Sequence, residues 1–537
     1  MRHQPAFPDT LNMASYFVDA NIEAGRGSKT AIRYEGKSIT YQEVFEQVNR
    51  AGNGLLNLGL QAEQRVLVCL QDRPEFAYAW FGTLKAGGVA TQINPQLPAA
   101  DYAYYLNYTK APIAIVDAAA LPEFEPAIRQ ARHLREVVVV GGDEGIRGQW
   151  TAWEDWIQKW SPQLEAAPTS KDDPAVWLFT SGTTGQSKAA VHTHAHFPFN
   201  TEVYAKAFIG MRESDITISG PRLFFGYATG TNLMFPFAVG ATTVVFRERP
   251  LPGKLFELIE REQCTVFTSV PTLINNFLQA PREERRSLTS LRYMWSAGEA
   301  LPRDLHERWD REFGVPIVDG IGSAESFHIY ISNRPKGPLG EADIRPGSLG
   351  RLVPGYEAKL LDDEGRPVAV GDVGTLWVRG DSVALHYHAA YEKSKEHLRG
   401  GWVVSGDKFR CDEQGYWWYE GRGDDLLKVG GIYVSPLEVE NCLMQHPAVK
   451  ECCVIGRDDD AGLIKPLAIV VPNADYLAER SRDLVRDELI AFAKERLARY
   501  KAPRWVEFRD VALPRNDRDK IDRKKLRSDD QPPRRQP

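Results

Sequence analysis

A ten-residue run in the first half of the chain has the composition of a phosphate-binding loop. Residues 179–188 read FTSGTTGQSK and begin where the apolar, strand-like residues 176–179 end. Two glycines let the backbone turn so that its N–H groups converge, the hydroxyl side chains add donors, and Lys188 adds positive charge. A Walker P-loop would need glycine at 187 and serine or threonine at 189, where this chain has Ser187 and Ala189. The run predicts a polyphosphate-binding turn of another type. The alternative is a connector that binds no ligand.

Further short blocks follow this loop along the chain. They are residues 296–302 (SAGEALP), 319–325 (DGIGSAE), 402–407 (WVVSGD), 421–431 (GRGDDLLKVGG) and 513–523 (LPRNDRDKIDR). Each is weak evidence alone, but in this order they resemble the adenylate-forming superfamily of acyl-CoA synthetases, adenylation domains and luciferases. That family's phosphate loop reads TSGTTGxPK, so this chain departs from it at Ser187, which replaces a proline. The resemblance covers nearly the whole chain.

The resemblance implies which residues hold the nucleotide. Asp407 would accept hydrogen bonds from both ribose hydroxyls, a geometry that suits a bidentate carboxylate. Glu325 would carry Mg²⁺, and one carboxylate is sufficient for a cation that otherwise binds phosphate oxygens and water. The ATP-binding residues implied in this way are Thr180, Ser181, Gly182, Thr183, Thr184, Gly185, Lys188, Gly298, Glu299, Ala300, Asp319, Gly320, Ile321, Gly322, Ser323, Asp407 and Arg422.

The last two blocks imply a hinge and a movable lid. Asp424 would be the pivot between the large and small domains, and Lys520 would lie between the attacking carboxylate and the α-phosphate. Rotation about the pivot would withdraw Lys520 and bring Lys428, Gly430 and Gly431 to the site, with the two glycines beside CoA. Without the resemblance, the first block reads as a charged surface turn at a domain boundary. The second then reads as a solvated or phosphate-binding basic run.

One position in the lid block departs from the family pattern. Asp519 stands where relatives usually have glycine, directly before Lys520. An aspartate restricts the backbone relative to glycine, and its charge favours the ammonium form of the neighbouring lysine. Control of this lysine by acylation, which the resemblance brings with it, is therefore left open.

Several segments resemble a narrower group, the benzoate-CoA ligases and related aryl-CoA ligases. They are residues 223–230 (LFFGYATG), 270–273 (VPTL), 325–329 (ESFHI) and 428–436 (KVGGIYVSP). In that group the aromatic acid lies between the first and the third of these segments. The pocket implied here consists of Phe225, Tyr227, Ala228, His328 and Ile329. The alternative is that the aromatic residues are core residues and that the histidine is a satisfied core histidine.

By this resemblance we expect an AMP-forming acid–thiol ligase that uses ATP, Mg²⁺ and CoA. The acid would attack the α-phosphorus of ATP, pyrophosphate would leave, and the CoA thiol would then take the acyl group. Benzoate is the first choice of acid. Aminobenzoate at the 2-position and hydroxybenzoate stay open, because an apolar pocket rejects an added hydroxyl only about a hundredfold. A carrier protein is the alternative acceptor, although no part of the chain reads as a carrier domain. A non-catalytic nucleotide-binding homologue is the alternative of a different class.

Two other residue groups could carry chemistry. Residues 192–196 read HTHAH and could align three imidazoles on one strand face as a Zn or Cu site, but no cysteine or acidic residue completes the set. Relatives with the same H-T-H hold no metal there, which favours a structural role. The adjacent Cys452 and Cys453 lie in an apolar run and read as small buried hydrophobes.

The elements that must position these residues follow from the apolar pattern. Short apolar runs alternate with helix-like stretches from about residue 31 to 345, which predicts two doubly wound α/β lobes, about 1–190 and 191–345. Glycine- and proline-punctuated runs then indicate a small β-barrel subdomain at 346–423, which completes the N-terminal domain 1–423. A mobile α+β lid domain would span 424–527, followed by a disordered tail at 528–537. Thr40 and Glu43 predict a capped helix from Tyr41 to Leu58.

The composition sets outer limits on function. The 537 residues carry 66 Lys+Arg and 72 Asp+Glu, so the net charge of −6 disfavours nucleic acid as a partner. Six scattered cysteines without a C-x-x-C pair fit a reducing compartment, and we expect a cytoplasmic protein, monomer or homodimer, that is not exported. The longest uncharged stretch, residues 223–246, contains several glycines and a proline and reads as buried structure instead of a membrane span.

Overall fold

The computed structural model describes residues 5–142, 149–181, 186–423, 426–429, 432–459, 463–478, 480–515 and 521–530. Five sheets organise this part of the chain, and two of them are large and mostly parallel. The mixed α/β architecture, with a large N-terminal part and a smaller C-terminal part, confirms the predicted fold class.

The first large sheet has seven strands in the order β7-β6-β5-β3-β4-β8-β9, parallel except for the last pair. These strands are β3 (Arg65–Cys69), β4 (Val89–Gln92), β5 (Ile113–Asp117), β6 (Glu136–Val140), β7 (Thr151–Ala152), β8 (Pro174–Ser181) and β9 (Ser187–Thr193). Val66 and Val68 face one hydrophobic cluster, while Leu67 and Cys69 face another. The sheet is therefore covered on both faces, as a doubly wound fold requires.

The second large sheet has nine strands in the order β16-β15-β14-β13-β12-β10-β11-β1-β2. These strands are β1 (Thr30–Tyr34), β2 (Lys37–Thr40), β10 (Ile216–Ser219), β11 (Thr242–Val244), β12 (Val266–Ser269), β13 (Tyr293–Ser296), β14 (Ile317–Gly322), β15 (Ile329–Ser332) and β16 (Arg351–Leu352). Strands β1 and β2 come from the segment predicted for the first lobe, yet β1 pairs with β11. Such long-range pairing covers the edge of β11 and leaves no local signal in the sequence.

The three smaller sheets follow in chain order. An antiparallel sheet holds β17 (Glu357–Leu361), β18 (Val373–Arg379), β19 (Leu398–Arg399), β20 (Trp402–Cys411) and β21 (Trp417–Arg422). These strands lie within residues 346–423, and we refer to them as the β subdomain. A hairpin of β22 (Leu427–Val429) and β23 (Ile432–Val434) comes next. The last sheet contains β24 (Val449–Asp458), β25 (Ile464–Pro472) and β26 (Trp505–Phe508).

Helices connect and cover the strands. The α-helices are Ala20–Glu23, Tyr41–Asn57, Pro74–Lys85, Ala99–Thr109, Leu121–Ile128, Trp153–Ile157, His196–Asn200, Gly226–Thr229, Phe235–Val239, Pro252–Glu262, Pro271–Gln279, Arg303–Phe313, Tyr391–His397, Pro436–Leu443, Ala474–Leu477, Arg482–Arg496 and Arg523–Asp530. Wider π-helical stretches are Ser15–Asp19, Thr201–Ile209 and Gly230–Met234, and short 3-10 turns are Ala118–Ala120, Arg282–Glu284 and Ala324–Ser326.

The sequence predictions for individual elements have different outcomes. The capped helix is confirmed, because the Thr40 hydroxyl accepts the Glu43 N–H at 3.2 Å and the Glu43 carboxylate accepts the Thr40 N–H at 2.7 Å. The prediction of a disordered tail from residue 528 is wrong for its first three residues, because residues 528–530 are helical and Asp530 pairs with Arg457. The other predicted domain boundaries stay predictions. Among the described residues, no helix is both long enough and apolar enough to cross a bilayer.

A buried carboxylate ties together the starts of three neighbouring strands in the second sheet. Asp215 is 1% exposed and directly precedes β10. Its carboxylate accepts the Thr265 hydroxyl at 2.9 Å, just before β12, and the Arg292 guanidinium at 2.5 and 2.6 Å, just before β13. One charged group thus fixes the register of the strands whose far ends carry the predicted nucleotide-binding residues.

We expect Asp215→Asn to lower the free energy of unfolding by about 3 kcal/mol, because it leaves a charged arginine without its buried partner. Urea unfolding followed by tryptophan fluorescence measures the change. Glu213→Gln is the control, since Glu213 pairs with Arg26 near the surface and its loss changes stability little. An equal effect of the two substitutions would contradict the assigned role of Asp215.

Candidate active site

The predicted phosphate loop joins the two antiparallel strands at the edge of the first sheet. In the register of β8 and β9, Thr180 lies opposite Lys188, and Ser181 lies opposite Ser187. Gly182, Thr183, Thr184 and Gly185 lie outside the described residues. The hairpin starts at the carboxyl end of β8, which is where a doubly wound sheet binds its ligands.

Tyrosines of the helix Ala99–Thr109 hold β9 on both sides of Lys188. The Tyr104 hydroxyl donates to the Ser187 carbonyl, and the Tyr108 hydroxyl accepts the Ala189 N–H at 3.1 Å. Burial raises the pKa of Tyr104 to about 12, so its hydroxyl stays a neutral donor. The backbone of both neighbours of Lys188 is therefore fixed by side chains of one helix.

The outer edge of β9 is covered by a segment of the β subdomain. Val191 donates its N–H to the carbonyl of His386 at 3.0 Å, and His388 donates its N–H to the carbonyl of Ala189 at 2.9 Å. Tyr108 also donates to the carbonyl of His388 at 2.5 Å. The hairpin is thus held between this added segment and the helix Ala99–Thr109. The added segment also places Tyr387 over Lys188.

Lys188, Tyr387 and Glu325 form a line of contacts. The Lys188 ammonium lies 3.9 Å from the centre of the Tyr387 ring, and the Tyr387 hydroxyl donates to Glu325 Oε1 at 2.6 Å. Burial lowers the pKa of Lys188, and the charge of Glu325 acts in the opposite direction. Burial and the same charge raise the pKa of Tyr387. The Tyr387 side chain thus contacts both the Lys188 ammonium and the Glu325 carboxylate.

The carboxylate of Glu325 fits the chemistry of Mg²⁺. Tyr387 orients one of its oxygens, and Mg²⁺ takes one or two carboxylates together with waters and phosphate oxygens. Within the described ranges, no three His, Cys, Asp or Glu side chains converge as a metal site would require. A cation at Glu325 would therefore depend on the phosphates of a nucleotide for most of its ligands.

A strained turn separates Glu325 from His328. Glu325 lies in the turn Ala324–Ser326, and the next residue, Phe327, has a φ of 69° and a ψ of −56°. His328 donates its N–H back to the Ser326 carbonyl at 2.9 Å, which closes a tight three-residue turn. The Phe327 ring is buried and stacks on Phe197 at an interplanar angle of 27°. Packing thus stabilises a backbone conformation that is rare for a side chain of this size.

The structure brings two of the five predicted pocket residues, Tyr227 and His328, into direct contact. The His328 ring lies 5.6 Å from the Tyr227 ring, and its Nε2 is 3.0 Å from the Tyr227 carbonyl. Ala228 and Ile329 are buried beside them. Phe225, by contrast, is 52% exposed, so it lies outside the buried part of this group. Gly322 is required here, because a Cβ at that position would come within 2.4 Å of the His328 carbonyl.

Buried contacts attach residues 222–229, the segment that carries Tyr227, to the first sheet. The N–H of Leu223 donates to Asp72 Oδ1 at 2.9 Å, and the Arg222 guanidinium lies 3.8 Å from the same carboxylate. Gln92, on β4, donates to the Leu223 carbonyl at 3.2 Å and to the Thr229 hydroxyl at 2.5 Å. The segment that carries the predicted acid pocket therefore contacts the first sheet.

Several of the residues predicted to bind ATP lie at the carboxyl edge of the second sheet. Ser296, at the end of β13, is the register partner of Asp319 on β14. Asp319 is 4% exposed, its Oδ1 has no hydrogen-bond partner, and burial raises its pKa to about 8. Glu299 accepts hydrogen bonds from the N–H and hydroxyl of Thr272 at 3.2 and 2.9 Å. The Glu299 carboxylate therefore caps the start of the helix Pro271–Gln279.

The other predicted nucleotide residues occupy the same region or the β subdomain. Gly298 has a φ of 85°, and Ala300 follows it in the connection after β13. Gly320 and Ile321 continue β14 and pair with β15, and Ser323 caps the turn by accepting the Ser326 N–H at 3.3 Å. Asp407 is paired with Arg422 in the ladder of β20 and β21.

Several predicted residues cannot be placed. Asp424, Gly430, Gly431, Asp519 and Lys520 lie outside the described residues. The side chains of Ser181, Arg422 and Lys428 are also outside them. Their predicted roles stay predictions.

The alternative of a three-histidine metal site is wrong in its geometry. His192 and His196 contact each other through their Nδ1 atoms at 3.1 Å. His194 instead accepts the Met13 N–H at 3.0 Å, and burial lowers the pKa of His192 and of His194 to about 4. The three rings do not converge, because β9 ends at Thr193 and His196 begins a helix. His192 Nε2 lies 2.6 Å from the Ala324 carbonyl, so this histidine supports the turn that carries Glu325.

Sequence reasoning missed three tyrosines of the site. Tyr104 and Tyr108 are four residues apart on a helix, a spacing that places both on one face and could have marked them as a pair. Tyr387 lies between two histidines and gives no comparable signal. Its role depends on pairing between segments about 200 residues apart in the chain.

Comparisons with known proteins agree with this geometry. Residues 19–388 match the family described as AMP-binding enzyme, and residues 438–520 match the AMP-binding enzyme C-terminal domain. The benzoate–CoA ligase of Thauera aromatica is 42% identical over 527 residues, which are 97% of this chain and 96% of the relative.

Two solved structures are also similar to the chain. One is the anthranilate CoA ligase AuaEII in complex with anthranoyl-AMP, with a TM-score of 0.88 and 38% identity, covering 97% of this chain and 98% of the other. The second is a benzoate CoA ligase from Burkholderia xenovorans LB400, with a TM-score of 0.84 and 37% identity, covering 96% and 99%. The family match, the full-length relative and the fold agree. The chain belongs to the AMP-binding enzyme family.

Proposed function

We propose that this chain is an AMP-forming aryl acid–CoA ligase that activates benzoate or a close analogue and transfers it to the CoA thiol. The observation that carries the proposal is the short segment from Glu325 to His328. Its first residue joins the line of contacts to Lys188, and its last residue belongs to the aromatic pocket. A ring acid beside His328 would therefore have its reactive end within a few residues of the groups that bind phosphate.

In the first half-reaction the chain acts by position and charge. Lys188 and the N–H groups of the predicted loop would offset the negative charge that grows as the acid attacks the α-phosphorus. Mg²⁺, when bound at Glu325, would neutralise charge on the phosphate oxygens. Asp319 would offer the purine a buried, mostly neutral carboxyl group, and Asp407 would accept from the ribose hydroxyls. Lys520 would contact the reacting carboxylate.

In the second half-reaction the small domain would exchange one lid for another. Rotation at Asp424 would withdraw Lys520 and bring Lys428, Gly430 and Gly431 to the acyl-adenylate. Exchange of the lid lets one site perform two reactions with different geometric needs. Free CoA is the proposed acceptor, with the thiol arm of a carrier protein as the alternative. Buried thiols such as Cys69 and Cys264, which are not joined in disulfides, support a reducing compartment such as the cytoplasm.

The first experiment tests the activity itself. We expect pyrophosphate release from ATP and Mg²⁺ with benzoate, 2-aminobenzoate or a hydroxybenzoate, and AMP plus an aryl-CoA when CoA is added. A fatty acid of similar mass should react more slowly, because a flat ring fits between Tyr227 and Ile329. Nucleotide binding without pyrophosphate release from any ring acid would favour the non-catalytic alternative.

The second experiment separates the half-reactions. Lys520→Ala should slow adenylate formation by at least about a hundredfold, yet spare thioester synthesis from supplied benzoyl-adenylate. Lys428→Ala should do the reverse, and stopped assays of pyrophosphate and benzoyl-CoA measure both. Lys525→Ala is the control, since this lysine is exposed on the following helix. Equal loss of both steps in Lys520→Ala would refute its assignment.

The third experiment tests the tyrosines beside Lys188. Tyr104→Phe removes the hydrogen bond to the Ser187 carbonyl, and we expect the KM for ATP to rise about three- to tenfold. Ser187→Pro should reverse part of this change, because proline fixes the backbone that Tyr104 otherwise holds. Tyr391→Phe, at a side chain that is 71% exposed, serves as the control. If Ser187→Pro leaves the Tyr104→Phe defect unchanged, the two residues do not share this task.

A further inference from the structure

The sheet of β24, β25 and β26 is covered by a different hydrophobic cluster on each face. Along β24, Val454 belongs to one cluster, while Cys453 and Ile455 belong to the other. Because successive side chains of a strand point to opposite faces, each cluster lies on its own face of the sheet. Among the strands of the described part of the chain, β24 pairs only with β25. The other edge of β24 is therefore available to side chains from elsewhere.

The chain around the two predicted lid lysines packs on these opposite faces. The cluster on the Val454 face includes both chain neighbours of Lys428, which are buried. The cluster on the other face includes Leu513 and Leu526, which come before and after Lys520 in the sequence. The segments that flank the two lysines are therefore attached to opposite sides of one sheet.

A buried ion pair crosses the open edge between the two faces. Glu440 belongs to the helix Pro436–Leu443, which packs on the Val454 face, and Arg523 begins the helix Arg523–Asp530, which packs on the other. Nη2 of Arg523 donates to both carboxylate oxygens of Glu440 at 2.6 Å. Glu440 is 6% exposed, and its Oε1 also accepts the N–H of Val454 at 2.6 Å. One carboxylate thus connects both helices to the same point of the sheet edge.

The chain that leads into Arg523 is closed by backbone contacts. Ile521 forms an antiparallel bridge with Arg515, and the next residue donates its N–H to the Pro514 carbonyl at 2.8 Å. Lys520 directly precedes this closure in the sequence, and Arg523 directly follows it. A displacement of Arg523 would therefore move the end of the closure to which Lys520 is joined.

We infer that Arg523 is a positioning residue for Lys520, and that its ion pair with Glu440 holds the Lys520 segment in place on its face of the sheet. This inference rests on the proposed function and adds a residue to the first half-reaction. Misplacement of a reacting group by about 1 Å can cost a hundredfold in rate. The segment of Lys428 is attached through the other cluster, so loss of the ion pair should spare the second half-reaction.

The test measures the two half-reactions separately in Arg523→Met, with the ring acid that the unaltered enzyme uses best. We expect pyrophosphate release to slow about ten- to a hundredfold, and thioester synthesis from the supplied aryl-adenylate to change less than about twofold. Added to Lys520→Ala, Arg523→Met should cause no further loss of pyrophosphate release, because residues that act as one unit are not additive. Arg523→Lys should retain most of the rate, since a single nitrogen makes both contacts with Glu440.

Two further variants complete the comparison. Arg457→Met is the matched control, because Arg457 pairs with Glu507 at 2.7 Å and with Asp530 at the far end of the same helix. Both half-reactions should stay within about twofold in this variant. Glu440→Gln removes the charge but keeps an oxygen for the Val454 N–H, so it disturbs the fold less than Arg523→Met. It should slow pyrophosphate release about three- to tenfold and spare thioester synthesis.

The outcomes separate this inference from the proposed function. Equal slowing of both half-reactions in Arg523→Met and Glu440→Gln would overturn the inference and leave an ion pair that only stabilises the fold. Unchanged pyrophosphate release in Glu440→Gln would also overturn it, as would a further loss when Arg523→Met is added to Lys520→Ala. If the unaltered enzyme releases no pyrophosphate with any ring acid, the proposed function itself fails before any variant is compared.

Discussion

The turn at Phe327 is the constraint on which the arrangement of the site depends. A φ of 69° and a ψ of −56° are costly for a phenylalanine, and the chain keeps them because the ring is buried against Phe197. The turn reverses the chain within three residues. It therefore lets Glu325 meet Tyr387 while His328 contacts Tyr227, although an extended strand of the same length would separate these side chains by about 10 Å. The strained turn at Phe327 thus places the Glu325 carboxylate close in the chain to the aromatic contact between His328 and Tyr227.

Strand β9 connects this turn to the phosphate side of the site. Lys188 lies near its start, and His192, four residues later, contacts the Ala324 carbonyl at 2.6 Å. The same strand is paired with β8 on one edge and with residues 385–388 on the other. Movement of β9 would displace the Lys188 ammonium. Through the contact of His192 with the Ala324 carbonyl, it would also displace the Glu325 carboxylate. Their separation is set by one rigid strand and by the ring of Tyr387 between them.

The sequence predicted those parts of the structure that depend on local signals. The capping box at Thr40 and Glu43, the apolar strands of both large sheets and the ordered motif blocks are all of this kind. The pairing of β1 with β11, the cover over β9 and the Tyr387 contact depend on segments far apart in the chain, where period and propensity carry no information. The turn at Phe327 was also beyond prediction, since a left-handed φ at a large residue contradicts its intrinsic preference. Local rules fail here at the functional site, which is where conflicts between local preference and fold are expected.

The predicted acid pocket and the residues predicted to bind the phosphates are mechanically coupled. His328 is held by the carbonyl of Tyr227, and the segment that carries Tyr227 is attached to the first sheet through Asp72 and Gln92. Only two residues lie between His328 and Glu325, and the buried Phe327 makes that connection stiff. A ring that displaces His328 must therefore strain the turn or move the Glu325 carboxylate. Because Glu325 is the group proposed to hold the metal on the phosphates, a poorly fitting acid would weaken catalysis as well as binding. Discrimination between ring acids can then exceed what pocket contacts alone provide.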